Sequence, residues 1–156
     1  MRFTASLLLL ALAFPAVAAE RRTKPKPGTD EFAIETTVLA VYNVVSGPAG
    51  RRDWNRFKDL FAPGARITAF RAGEVTSMTP DECATQSKPY LDANGLFSMP
   101  VDTRIDRFAD IAHVTSRYEA RHATTDAAPF ERGVGHVELL RIGDGWKILS
   151  IVWETE

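Results

Sequence analysis

A chain of 156 residues, 45% of them hydrophobic, fits one globular domain with a sizeable core. Its 19 Lys and Arg against 20 Asp and Glu leave no charge bias that would favour nucleic acid or an anionic membrane as a partner. Cys83 is the only cysteine, which excludes an intrachain disulfide and leaves the fold to its core.

Residues 1–19 have the pattern of a secretory signal peptide. Arg2 supplies a positive start, Leu7–Phe14 an apolar run too short to span a membrane, and Ala16-Val17-Ala18 a small-residue cleavage site. No cysteine follows the run, so no lipid modification or other stable membrane anchor is expected. The expected location is the periplasm or the medium. Cleavage would remove Arg2 alone among the charged residues, leaving 18 basic against 20 acidic. Residues 20–29 then read as a disordered, basic, Pro-rich leader, and 30–156 as the domain.

Thr29 or Asp30 caps a first helix that runs to about Ser46. Phe32, Ile34, Val38, Leu39, Val41, Tyr42 and Val45 make a wide apolar face at helical spacing. Gly47-Pro48-Ala49-Gly50 ends it. Asp53 starts a short second helix bearing Trp54, Phe57, Leu60 and Phe61, and Ala62-Pro63-Gly64 is expected to stop it. Arg66–Arg71 and Val75–Met78 read as short strands around a turn. Thr79-Pro80-Asp81-Glu82 forms a capping box with proline at the first helical position. The third helix is expected to reach Ala93, with a kink or break at Lys88-Pro89.

From Leu96 the period changes to two. Pro100–Phe108 and Ile111–His122 are strands around a tight turn at Ala109-Asp110, and Thr124–Pro129 is a polar loop. Arg132–Ile142 and Trp146–Glu154 form a long apolar hairpin around Gly143-Asp144-Gly145. The expected class is α+β, with helices covering one face of an antiparallel meander.

This layout and several local strings resemble the nuclear transport factor two-like superfamily, which includes the SnoaL-like proteins and ketosteroid isomerase. The strings are Asp53-Trp54 with Phe57 and Leu60-Phe61, Ile111 through Glu119, Arg132-Gly133-Val134, and Gly145-Trp146-Lys147-Ile148 with Trp153. Within the superfamily the likeness is to an uncharacterised group of exported bacterial proteins. The resemblance implies three helices on a curved antiparallel sheet that forms a cone, and a homodimer through that sheet. The cone pocket of such folds serves many chemistries, so function has to come from the site.

Isomerase-like members use a helix tyrosine as oxyanion donor and a carboxylate base just after the first strand. Tyr42 matches the tyrosine. No carboxylate stands near Ile67–Phe70, and Glu74 falls in the turn. Dehydratase-like members suggest a histidine base instead. A turn at Ala109-Asp110 sets Asp106 opposite His113 and Arg104 opposite Thr115. A turn at Gly143–Gly145 sets Glu138 near Ser150 and His136 near Val152. A symmetric loop at Thr124–Pro129 sets His136 near Arg117 and Glu138 near Thr115.

Arg104, Asp106, His113, Thr115, Arg117, His136, Glu138 and Ser150 then share one sheet face, joined by Trp146, Ile148 and Val152. Ile105, Val114, Ser116, Tyr118, Val137, Leu139, Leu149, Ile151 and Trp153 share the other. A single bulge would exchange the faces along part of a strand. The polar row reads either as a face that meets solvent or a dimer partner, with charges paired across strands, or as a cone lining with Asp106 and His113 as an acid–base couple. The first is favoured.

No metal site is expected, because His113 and His122 point to opposite faces and His136 lies several residues from His113 in that register. No cofactor-binding motif is present. Cys83 reads as a buried, inert thiol. The leading functional expectation is a binding domain for a small, mostly apolar ligand, walled by Tyr42, Trp54, Phe70, Tyr118 and Trp153. The alternatives are a cofactor-free lyase or isomerase using Tyr42 with a sheet histidine or carboxylate, and a structural or partner-binding module with a collapsed cone.

Overall fold

The computed structural model describes residues 24–156; the expected signal peptide and the first part of the leader lie outside the described residues. Helix α1 spans Asp30–Val45, with Thr29 as its N-cap accepting from the Phe32 amide at 3.3 Å. Ile34, Val38 and Val44 are buried along it. Asp53 caps α2 (Trp54–Asp59), and the full capping box of Thr79 and Glu82 opens α3 (Pro80–Ala93). Pro89 sits inside α3 without ending it.

The strands are β1 (Phe61–Arg71), β2 (Glu74–Met78), β3 (Phe97–Phe108), β4 (Ile111–Arg121), β5 (Glu131–Ile142) and β6 (Gly145–Thr155). They form one six-stranded sheet in the order β2-β1-β6-β5-β4-β3, which curves without closing. The four C-terminal strands are the expected antiparallel meander, but β1 lies parallel to β6. Ala62-Pro63-Gly64 does not lie outside this sheet. It falls within β1, where the pairing with β6 jumps from Phe61↔Ile148 to Arg66↔Ser150, and Gly64 takes the positive φ of 79° that the irregularity requires.

One face of the sheet carries the helices. Between them lies the core, which includes Ile34, Val38, Phe57, Ile67, Val114, Leu139 and Ile148. Each such side chain contributes about 1.5–3 kcal/mol through its burial. The turn from α1 to α2 is held by Arg52, whose guanidinium donates to four carbonyls, those of Val45, Gly47, Pro48 and Gly50, at 2.8–3.0 Å. Gly47 also pairs with Leu96, which ties this turn to the start of β3.

Two details of register differ from the expectation. In β6, Glu138↔Ser150 is followed by Leu139↔Ile148, so Leu149 is an extra residue. This bulge turns Trp146 and Ile148 into the core and Leu149 outward, while Ile151 stays inside. Between β4 and β5 the pairing is His113↔Glu138 and Thr115↔His136, not Thr115 with Glu138 and Arg117 with His136. The loop is not symmetric: the Asp126 carboxylate accepts from the amides of His122 and Ala123 and tightens its first half. The displacement is an even number of residues, so every side chain on these two strands keeps its expected face.

Candidate functional site

A cavity of about 520 Å³ opens between the three helices and the inner face of the sheet. Its wall is mostly apolar, with Val38, Val41, Trp54, Leu91, Ile151 and Trp153 among the lining residues. Of the five expected wall residues, Tyr42, Trp54, Tyr118 and Trp153 line it. Phe70 does not. The fully buried Ile67 fixes the inward phase of β1, so alternation sends Ala69 and Arg71 inward and Phe70 out to the far face. Arg71 takes the wall position instead.

Besides Ser87, Tyr90 and Ser98, two hydrogen-bonded polar groups interrupt the apolar wall. Tyr42, in the last turn of α1, reaches across to Ser116 of β4, with the two hydroxyl oxygens 2.9 Å apart. Ser116 is completely buried. One hydroxyl donates to the other, so the pair retains one proton and spare lone pairs. Burial pushes the Tyr42 phenol up from its ordinary pKa, while the bond to Ser116 pulls weakly the other way.

The second group lies 6.3 Å away, ring centre to ring centre, at Tyr118. Its hydroxyl donates to Glu131 Oε1 at 3.0 Å, and Arg71 binds Glu131 Oε2 at 2.8 Å. Burial raises the Tyr118 pKa, and the Glu131 carboxylate raises it further by disfavouring a phenolate beside it. Gly133 stands directly opposite Tyr118, and its missing side chain gives the ring its place. A Cβ there would lie 2.8 Å from the Tyr118 hydroxyl. Glu131 is the only carboxylate among the described residues that line the cavity. Phe130, stacked on His122 at 4.0 Å, also borders it.

Cys83 lines the cavity as a buried thiol; burial raises its pKa, and Ser87 at 4.0 Å offsets this slightly.

Asp106 and His113 are opposite one another, as expected, but they are not bonded as a couple and they lie on the face turned away from the cavity. Asp106 pairs with Arg104 at 2.9 Å. His113 Nδ1 meets Glu138 at 2.6 Å, and its Nε2 lies 3.3 Å from both His136 Nδ1 and Thr115 Oγ1. Among the described residues there is no group of three or more His, Cys, Asp or Glu placed to hold a metal ion. Sequence reasoning did not find Glu131 or Arg71, because both stand at strand ends where alternation gives least guidance.

This fold is shared with many solved structures. A cystatin-like protein of unknown function from Nostoc punctiforme superposes with a TM-score of 0.67 at 15% identity, over 81% of this chain and 91% of that one. The chain has the nuclear transport factor two-like fold. A protein from Streptomyces avermitilis, described as a candidate dehydratase of the nuclear transport factor two-like family, gives 0.61 at 16% identity over 80% and 94%. A further protein of this fold from Novosphingobium aromaticivorans gives 0.64 at 12% over 80% of each. No family model matches the sequence, and no curated protein does.

Proposed function

We propose that the chain is an exported binding domain for a small, mostly apolar molecule that carries a hydroxyl or carbonyl group. The observation that carries this reading is the open 520 Å³ cavity with Tyr42, bonded behind to the buried Ser116, in its apolar wall. That volume is in the range of pockets for small ligands, and a few fixed polar groups in an apolar wall are what orients such a ligand. The Tyr42 hydroxyl, held in place by Ser116, can donate to a carbonyl or accept from a hydroxyl. Arg71 and Glu131 neutralise one another, so the described residues that line the cavity present no unpaired charge to attract an ion. An open cone also counts against a structural module with a collapsed one.

A cofactor-free lyase or isomerase is the second reading. It is favoured by the presence in one cavity of a tyrosine donor and a carboxylate, and it accords with the dehydratase description of the Streptomyces neighbour. Glu131 is the chain's own candidate base. Both of its oxygens already accept bonds, from Tyr118 and Arg71; each keeps a second lone pair for a proton, but protonation would give up the ion pair with Arg71, at a cost. That cost places binding ahead of catalysis.

The experiment is native mass spectrometry of protein purified from its own cell envelope. A retained small apolar molecule, lost in Tyr42→Phe, is the expected result. Protein that carries nothing, and that takes up no apolar fluorophore in titration, would overturn the reading.

A further inference from the structure

We propose that His113 and His136, on the face of the sheet opposite the cavity, form a binding site for one divalent transition metal ion of the zinc, nickel or copper class. The site is separate from the cavity and does not rest on the ligand reading above.

The geometry is set by the β4–β5 pairing. His113 stands opposite Glu138, and Thr115 stands opposite His136. The two histidines are therefore diagonal neighbours on one face, their rings 5.3 Å apart and only 27° from parallel. His113 Nε2 and His136 Nδ1 are 3.3 Å apart. Two imidazole nitrogens on one tetrahedral zinc, each bonded at about 2.0–2.1 Å, are separated by about 3.3–3.4 Å. The spacing of the pair is already that of two ligands on one ion.

The tautomer of the neutral His113 ring is set as well. Glu138 lies 2.6 Å from His113 Nδ1 and holds the proton on that nitrogen. Nε2 is then the bare nitrogen, and it is the one that faces His136. A carboxylate behind a ligating histidine orients the ring and strengthens it as a donor. With both rings neutral and Nδ1 of His113 protonated toward Glu138, the 3.3 Å contact needs His136 Nδ1–H as donor; an ion would take the place of that proton, and His136 would carry its hydrogen on Nε2 instead. Thr115 Oγ1, 3.3 Å from the same Nε2, is placed to bond a water on the ion.

The nearby guanidinium of Arg104 is paired with Asp106, so it adds little repulsion. In the single chain His113 and Glu138 are about one-third exposed or more, at 36% and 44%, so the chain's own packing leaves them open to an ion. Two protein nitrogens are fewer than the three or four of catalytic and structural zinc sites. Water must complete the coordination, and the affinity will be correspondingly modest. Imidazole ligands suit zinc, nickel and copper rather than calcium or magnesium.

The test is calorimetric titration of the full chain with zinc chloride at neutral pH. The expected result is saturable uptake of one ion per chain, weakened by roughly tenfold or more in His113→Ala, His136→Ala and, through loss of the orienting carboxylate, Glu138→Gln. All three positions are partly exposed, and circular dichroism confirms that each variant is folded. His122→Ala, away from the site, should bind as the wild type does. No saturable uptake by the wild type, or uptake unchanged in His136→Ala, overturns the proposal. So does a loss in His122→Ala equal to that in His136→Ala.

Discussion

Gly133→Ala should destabilise the domain, while Gly135→Ala, two residues along the same strand, should not. A Cβ at Gly133 would lie 2.4 Å from the Glu154 carbonyl oxygen, 2.8 Å from the Tyr118 hydroxyl and 2.9 Å from the Tyr118 ring. The nearest atom is backbone of β6, which cannot swing aside as a side-chain tip can. At Gly135 the nearest atom is the Ser116 carbonyl oxygen at 3.9 Å, an ordinary contact. Inserting a methyl group where there is no room costs about 1–3 kcal/mol, and about 2 kcal/mol corresponds to roughly 8 °C in Tm for a domain of this size. Gly135→Ala should be neutral or raise stability by up to about 1 kcal/mol, because it reduces the freedom of the unfolded chain. Urea and thermal unfolding of both variants by circular dichroism would measure this. If Gly133→Ala unfolded within about 0.5 kcal/mol of the wild type, the close approach of Tyr118 to Gly133 would not be what shapes that wall of the cavity.

Tyr42→Phe leaves the fully buried Ser116 hydroxyl without its partner and should cost about 1–3 kcal/mol in urea unfolding. Adding Ser116→Ala to it should cost less than the sum of the two single changes, since both partners are then gone. Arg52→Ala removes the donor to four carbonyls and should cost at least about 2 kcal/mol by the same measurement. Asp30, bonded by the Arg141 guanidinium, has its carboxyl pKa held below the ordinary value. A depressed folded-state pKa gives stability that is present above the unfolded pKa, near 4, and is lost as pH falls through the folded value. Asp30→Asn should therefore flatten the loss of stability as pH falls below about 4, and an unchanged acid limb of the pH–stability curve would refute the pairing. Cys83 should react with iodoacetamide far more slowly in the folded protein than in urea at the same pH, as followed by mass spectrometry, because burial raises its pKa and restricts access.

What could be read from the sequence was mainly what local chemistry controls. The Thr79–Glu82 capping box, the Thr29 and Asp53 caps and the β3–β4 turn all appear where residue type and spacing put them. The cavity walls contributed by Tyr42 and Tyr118 followed from helical and strand periodicity. The parts that were not legible depend on contacts between distant segments. The parallel docking of β1 on β6 leaves no local signature, and it decides that Arg71 rather than Phe70 meets the cavity. The β4–β5 register depends on the two amides held by Asp126, and it separates two distant histidines from two that touch. Tyr118, Glu131 and Arg71 come from three different strands and meet only once the sheet is assembled.

The extra residue at Leu149 also marks where this protein can change in length. Removing that one residue from β6 would close its pairing with β5 into a regular ladder. Trp146, Ile148, Ile151 and Trp153 would then fall at every second position, and all four would keep the inner face. A single residue lost outside the bulge, between Trp146 and Trp153, would instead turn one part of the strand's inner side chains outward. When relatives are aligned, a one-residue gap at this bulge is the one that the strand's alternation permits.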